Sequence, residues 1–273
     1  MNSPMNSQIH RKPFTVQVDG RRLHAERLLP AQASGAGPTL VFLHEGLGSI
    51  GQWRHFPAEL CARVGLPGLV YERWGYGRSD PLGGPRPDDY LEREARDSLP
   101  EVLMACDILD PPILFGHSDG ASIALLFAAA YPERVRAAIC EAAHVLIEQV
   151  CLTGIEAARG AYERGELRKA LHRYHGANTE LAFRGWCDTW LRPSRRRWNV
   201  EAELPHITCP TLIVQGMDDE YATRAQVDAI AAGVAGPREI LWLPGCGHVP
   251  HHQARDIVLE SAARFIKQQC ATL

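Results

Sequence analysis

The stretch Ile113–Glu133, "ILFGHSDGASIALLFAAAYPE", decides how this chain is read. It places Ser118 between two glycines in Gly116-His117-Ser118-Asp119-Gly120. The apolar run Ile113–Phe115 ahead of it predicts a strand, and the small-residue run Ala121–Ala130 behind it predicts a helix. A serine hydroxyl is a poor nucleophile until a base removes its proton. It must also stand clear of the backbone for a carbonyl carbon to reach it. A sharp strand-to-helix turn achieves this, and glycines flank it because the chain packs too closely there for a Cβ. The helix that begins just after the serine points free N–H groups at the same spot, which favours a developing oxyanion.

Working outward, strands alternate with helices. Phe14–Val18 alternates in polarity, meets the hairpin signal Asp19-Gly20 and returns along Arg22–Leu29. Buried strands are predicted at Thr39–Leu43, Gly68–Tyr71, Val135–Cys140, Thr211–Val214 and Glu239–Leu243. Helices are expected over Trp53–Val64, from a capping Asp88 to Asp107 with a break at Pro100, and over His252–Lys267. Such alternation implies an α/β fold, a mostly parallel sheet covered on both faces. Residues 1–12 and the "AQASGAGP" loop carry no such pattern, and 1–12 is expected to be loose. From His144 to Leu204 no strand signal occurs. That segment reads as a helical insertion with Tyr162, Tyr174, Phe183, Trp186, Trp190 and Trp198 turned inward. The organisation expected is a core from 1–143 and 205–273, with 144–204 as a helical cap.

Composition excludes several classes. A chain of 273 residues with a net charge of −3 has no general pull toward nucleic acid or anionic membrane. The basic run Arg192–Arg197 is expected to be a solvated helix end. Eight cysteines without a C-x-x-C pair read as reduced, buried small hydrophobes rather than zinc ligands. They favour a reducing, cytoplasmic setting. The first residues lack the apolar core of a signal peptide, and no apolar run is long enough to span a bilayer. No metal or organic cofactor is expected. The expected partner is a small-molecule substrate, and the oligomeric state is left open.

The base for Ser118 must be a histidine oriented by an acid. "LWLPGCGHVPHHQ" puts His248 in a Gly-rich loop just after the last strand, on the sheet edge where the turn at Ser118 also lies. His251 and His252 follow, but no carboxylate or cysteine cluster supports a metal site with them. The acid should follow another strand on the same edge. "TLIVQGMDDEYAT" supplies Asp218, Asp219 and Glu220, and the chain order Ser, Asp, His is the one such a turn requires.

With "FLHEGLGS", "GYGRSD", "GHSDG", "QGMDDEYAT" and "GCGH" in this order, the chain resembles the α/β-hydrolase superfamily from about Phe14 to Ile266. The resemblance implies an eight-stranded sheet with a helical cap. It places the acid at the fourth position of G-x-x-D, hence Asp219, with Asp218 as fallback and Glu141 third. It implies an oxyanion hole from the backbone N–H groups of Asp119 and Gly46; donors of this kind are worth about 3–4 kcal/mol in the transition state. The loop after the third strand departs from the family pattern by carrying Glu45 between His44 and Gly46. His-Glu here also resembles dienelactone hydrolases, which pair it with a cysteine nucleophile.

Asp119 is a second departure. A carboxylate about 7 Å from an oxyanion opposes it by roughly 2 kcal/mol at an effective dielectric near 20. It must therefore turn away, be protonated or be neutralised, by an internal arginine or by a cation of the substrate. The Ser-Asp-Gly turn resembles biphenyl hydrolase-like enzymes such as valacyclovir hydrolase, where the matching aspartate is associated with the amino group of amino-acid esters. Glu45 and Glu141 are expected on the same sheet edge, so Glu45, Asp119 and Glu141 together would suit a cationic or polar substrate. The competing expectation pairs them with arginines of the insertion. The function expected is hydrolysis of a small carboxylic ester through an acyl-enzyme. The alternatives are a carbon–carbon bond hydrolase of aromatic ring-cleavage products and a hydrolase-like ligand receptor.

Overall fold

A computed structural model describes residues 9–31 and 37–270, so the expectations for residues 1–8 and most of the "AQASGAGP" loop lie outside it. Eight strands form one sheet in the order β1-β2-β4-β3-β5-β6-β7-β8. They are β1 (Ile9–Val18), β2 (Arg21–Pro30), β3 (Leu40–Leu43), β4 (Gly68–Tyr71), β5 (Ile113–His117), β6 (Ala137–Glu141), β7 (Thr211–Gly216) and β8 (Arg238–Leu243). β1 and β2 form an antiparallel hairpin, β2 runs antiparallel to β4, and the strands from β4 to β8 are parallel. Val18 pairs with Arg21 across a two-residue turn in which Asp19 and Gly20 have φ of 47° and 70°. Two successive positive φ values match the right-handed twist of the flanking strands. Ile9–Lys12 extends β1 instead of being loose.

The helices are α1 (Phe56–Val64), α2 (Tyr90–Arg93), α3 (Leu99–Ala105), α4 (Asp119–Ala130), α5 (Gln149–Glu163), α6 (Glu166–His175), α7 (Thr179–Trp190), α8 (Arg224–Gly233), α9 (Pro250–Gln253) and α10 (Arg255–Cys270). One core fills the space between the sheet and α1 with α10; the other lies under α2–α4, α8 and the 144–204 segment. The central strands β3, β5, β6 and β7 are buried throughout, which is why they read as unbroken apolar runs. Seven of the eight unpaired cysteines are buried. Among the described residues, no helix is long and apolar enough to cross a membrane.

Four local expectations are corrected. α1 begins at Phe56 rather than Trp53, with Pro57 in its first turn, the position where a missing N–H costs nothing. The 88–107 helix is broken earlier than Pro100. A π-helical segment, Glu94–Ser98, separates α2 from α3. Pro100 has no N–H to offer the Arg96 carbonyl, and the Tyr131 hydroxyl donates to that carbonyl instead at 2.7 Å. Asp88 does not cap this helix; its carboxylate takes Arg192 at 2.9 Å.

Within Arg192–Arg197, Arg196 and Arg197 are exposed as expected and the correction concerns Arg195. Arg195 is 1% exposed, not solvated. Its guanidinium lies about 5 Å from the rings of Tyr90, Trp190 and Trp198 and donates to the Asp88 carbonyl. A cation over aromatic faces and bonded to a carbonyl can be held away from water. The 144–204 segment is helical, with only an isolated bridge, Leu146 to Asn199. Tyr162, Phe183, Trp186 and Trp190 turn inward, whereas Tyr174 is exposed.

The glycines flanking Ser118 are sterically fixed. A Cβ at Gly120 would lie 1.9 Å from the Leu43 carbonyl oxygen, and one at Gly116 would lie 2.2 Å from that of Gly120. At Gly20, by contrast, a Cβ meets nothing within 4 Å, and only the positive φ resists substitution. We predict that Gly20→Ala lowers stability by about 1 kcal/mol. Gly120→Ala will lower it by more than about 4 kcal/mol or prevent folding. Urea denaturation of the two variants tests this; equal losses would contradict it.

Candidate active site

Ser118 closes the turn between β5 and α4 with φ 52° and ψ −116°, a conformation that costs a non-glycine residue free energy. The Ser118 N–H donates to the Glu141 carbonyl at 2.8 Å, and Ser122, one turn into α4, bridges to the backbone of His144. The turn is thus clamped between β3 and β6, and Ser118 Oγ faces the edge where the parallel strands end.

Two other loops deliver partners to that edge. After β8, the Gly245–His248 loop places His248 Nε2 at 3.0 Å from Ser118 Oγ. After β7, Asp219 lies 2.9 Å from His248 Nδ1 through both carboxylate oxygens. Asp219 is itself held by Gln215 Nε2 at 2.7 Å and by the backbone N–H of Tyr221 at 2.8 Å. Burial pushes its carboxyl upward, but bonds from His248, Tyr221 and Gln215 outweigh this and hold it below the ordinary carboxylate range. Burial works against a charged His248, yet Asp219, Glu45 and Glu220 prevail and raise its pKa above the ordinary imidazole value. The fallback Asp218 is exposed in the turn.

A cavity of about 60 Å³ lies over Ser118. Gly46 and Asp119 both line it, with Trp186, Trp190 and Tyr221 of the surrounding walls. Asp119 opens α4, so its N–H has no partner within the helix. A Cβ at Gly46 would collide with the Trp186 indole at 2.2 Å, so the β3 loop and α7 approach closely there.

The three additional acids have different surroundings. Asp119 is fully buried; Oδ2 accepts from the Tyr90 hydroxyl at 2.6 Å and lies 3.6 Å from Arg73. Burial and Asp119 push the Tyr90 phenol well above its ordinary pKa, so it stays a donor. Trp190 Nε1 in turn donates to the Tyr90 oxygen. The neutralising arginine therefore comes from the loop after β4 and not from the insertion. Asp119 Oδ1 is buried without a partner. Glu45 lines the cavity, with its side chain 25% exposed and Oε2 3.9 Å from His117 Nδ1. Burial pushes its carboxyl up against the opposing pull of His248.

Glu141 does not reach the cavity, which corrects its placement as a substrate-binding residue. It accepts from the His251 N–H and lies 2.7 Å from His251 Nδ1, fully buried beneath the His248 loop. Burial raises its pKa to about 7. His251, tied to Glu141, does not converge with His248. Among the described residues, Glu45, His117 and His248 have ligand atoms within 4.8 Å of one another. Both ring nitrogens of His248 are already engaged, by Asp219 and Ser118, so this group offers a metal no free third donor as it stands.

Sequence reasoning missed Gln215, Tyr90 and Arg73, and named Glu220 only as an acid of its turn, whereas its carboxylate accepts from the His248 N–H at 3.1 Å. Glu220 was legible as the third acid of its turn. Tyr90 and Arg73 act across long sequence separations, and Gln215, only four residues before Asp219, carries no signal of its role.

Residues 40–260 match the model of the alpha/beta hydrolase family. The human serine hydrolase BPHL is 28% identical over 262 residues, covering 92% of this chain and 85% of that one. A proline iminopeptidase of Saccharolobus solfataricus is 24% identical, with 87% of each chain covered. The crystal structure of a Mycobacterium smegmatis proline iminopeptidase superposes with a TM-score of 0.72 at 18% identity, covering 94% of this chain and 98% of that one. With the eight-stranded sheet, the turn at Ser118 and a family match over most of its length, the chain belongs to the alpha/beta hydrolase family.

Proposed function

We propose that the protein is a serine hydrolase of small carboxylic esters that works through an acyl-enzyme. The observation that carries this reading is His248, which joins Ser118 Oγ at 3.0 Å to Asp219 at 2.9 Å. In the first half-reaction His248 Nε2 takes the Ser118 proton as Oγ attacks the carbonyl carbon. The oxyanion is held by the N–H groups of Asp119 and Gly46. The carbon–oxygen ester bond then breaks, and the proton on Nε2 passes to the departing alcohol. Water repeats the sequence and releases the acid. Asp219 fixes the tautomer with Nδ1–H toward itself and stabilises the charged imidazole.

The small cavity, about 60 Å³, supports a short acyl group. Asp119 lines the cavity, and its Oδ1 is buried without a partner. Arg73 already offsets the carboxylate charge, so the site favours a hydrogen-bond donor on the acyl group without requiring a full cation. An α-amino group fits, in keeping with a relative named as a proline iminopeptidase.

A fluorophosphonate is expected to label Ser118 in the native chain and nothing in Ser118→Ala, with mapping by mass spectrometry. Asp219→Asn should lower kcat by about 10⁴. A ligand receptor would instead give at most a slow burst with a p-nitrophenyl ester.

The reaction needs neutral His248, so kcat/KM should rise with pH through a midpoint above the ordinary imidazole value. Removing the charge of Glu45 withdraws one of the carboxylates that raise it. The Glu45→Gln pH profile should therefore have its acid limb at lower pH; an unmoved limb would contradict the electrostatic account.

Alanine ethyl ester should be cleaved at least tenfold faster than its N-acetyl form, since a bond to a charged group is worth about 1.5–3 kcal/mol. Asp119→Asn should remove most of that preference. Equal rates in the native protein would discard the role of Oδ1.

A further inference from the structure

The backbone N–H of Gly46 serves an oxyanion only while its peptide plane is aimed. In a planar trans peptide the N–H points opposite to the carbonyl, so whatever holds the Glu45 carbonyl also aims the Gly46 N–H. The Glu45 oxygen accepts from three donors: His44 Nδ1 at 2.7 Å, Arg73 Nη2 at 2.8 Å and the Gly48 N–H at 3.1 Å. The Gly48 N–H belongs to the Leu47–Gly48 peptide. The carbonyl end of that unit lies 2.9 Å from His175 Nε2.

His175 is the last residue of α6, in the helical segment between β6 and β7, and it is buried. Its other ring nitrogen, Nδ1, accepts from the Gly77 N–H at 3.0 Å. A ring that accepts at Nδ1 and meets a carbonyl with Nε2 is the neutral Nε2–H tautomer. Burial lowers its pKa, which favours this neutral form. One imidazole thus joins two loops, donating to one and accepting from the other. The β3 loop carries Glu45 and Gly46. The loop after β4 carries Gly77 and also Arg73, itself a donor to the Glu45 oxygen.

We propose that His175 is a positioning residue for the oxyanion hole, aiming the Gly46 N–H through the Leu47–Gly48 and Glu45–Gly46 peptides. This rests on the reading of Gly46 as an oxyanion donor in ester hydrolysis. The series runs from His175 Nε2–H to the Leu47 carbonyl, from the Gly48 N–H to the Glu45 carbonyl, and from the Gly46 N–H to the oxyanion. Each peptide passes on polarisation as well as direction, because hydrogen bonds in a chain strengthen one another. A residue of α6 that does not touch the substrate thereby acts on the transition state.

His175→Asn and His175→Gln separate the two bonds. The Asn oxygen takes the place of Nδ1 and keeps the Gly77 bond, but its side chain stops short of the Leu47 carbonyl. The Gln amide reaches as far as Nε2 and keeps the Leu47 bond. With p-nitrophenyl acetate, His175→Asn should lower kcat about tenfold at nearly unchanged KM, a smaller loss than removing an oxyanion donor outright. His175→Gln should keep near-native kcat. A histidine that only supports the fold would lower kcat equally in both variants, and equal losses overturn the proposal. Native kcat in His175→Asn, with Ser118 still labelled by a fluorophosphonate, overturns it too and leaves the hydrolase reading intact. Amide NMR of the isotope-labelled full chain reads the same link without turnover. The Gly46 resonance should move in His175→Asn and stay near its native position in His175→Gln; an unmoved resonance in His175→Asn overturns the proposal. Should it move as expected while the native protein neither cleaves the ester nor takes the label, the positioning stands and only the hydrolase reading fails.

Discussion

The site depends on how closely the backbone at Gly120 approaches the end of β3. No side chain fits between Gly120 and the Leu43 carbonyl, and the same closeness governs Gly116 against the backbone of Gly120. That contact holds the start of α4 against the sheet and forces Ser118 into a positive φ. A relaxed turn would let the serine side chain fold back toward the helix. The bond from the Ser118 N–H to the Glu141 carbonyl secures the opposite side. Parallel strands then do the rest: β3, β5, β7 and β8 all end at one edge, so the loops after them meet without any long excursion.

The same edge gathers more acid than an oxyanion site tolerates, and the fold handles each carboxylate separately. Asp119 is bonded to Tyr90 and offset by Arg73, whose guanidinium also donates to the carbonyls of His44 and Glu45. One cation thereby steadies both the residue after the nucleophile and the loop that carries Gly46. Glu141 is withdrawn beneath the His248 loop, where its carboxylate anchors His251 at the start of α9. Glu45 remains partly exposed beside His248, where, with the exposed Glu220, its charge acts on the imidazole. The neighbouring imidazoles His44, His117 and His144 have their pKa values lowered by burial, so His248 is the ring left to take a proton near neutrality.

Most of the sheet was legible because its central strands are buried on both faces and leave unbroken apolar runs. The turn at Ser118 was legible because its steric demands are met by two glycines only four residues apart. Ser118, His248 and Asp219 could be placed because strand ends and chain order constrain them. What escaped was set by distant partners. Asp88 looks like a helix cap until Arg192, 104 residues away, claims its carboxylate. Arg195 looks solvated until Tyr90, Trp190 and Trp198 converge on it. Glu141 sits at the correct strand end, but its direction depends on His251, 110 residues later. Local sequence carries propensity and steric need; it does not carry the identity of a long-range partner.

The helical segment between β6 and β7 is tied into the chemistry more tightly than a covering layer needs to be. Trp190 of α7 donates to the Tyr90 hydroxyl, and Tyr90 donates to Asp119. Trp186, one turn earlier, packs on Gly46 so closely that no Cβ fits. A single helix thus touches both residues proposed to hold the oxyanion, Gly46 by packing and the Asp119 carboxylate through a relay of two hydrogen bonds. Any shift of α7 that enlarged the small cavity would loosen Gly46 and leave Tyr90 without its donor at the same time. Cavity size and the polarity around Asp119 are therefore coupled, so reshaping the proposed acyl pocket through α7 alone also disturbs the proposed oxyanion site.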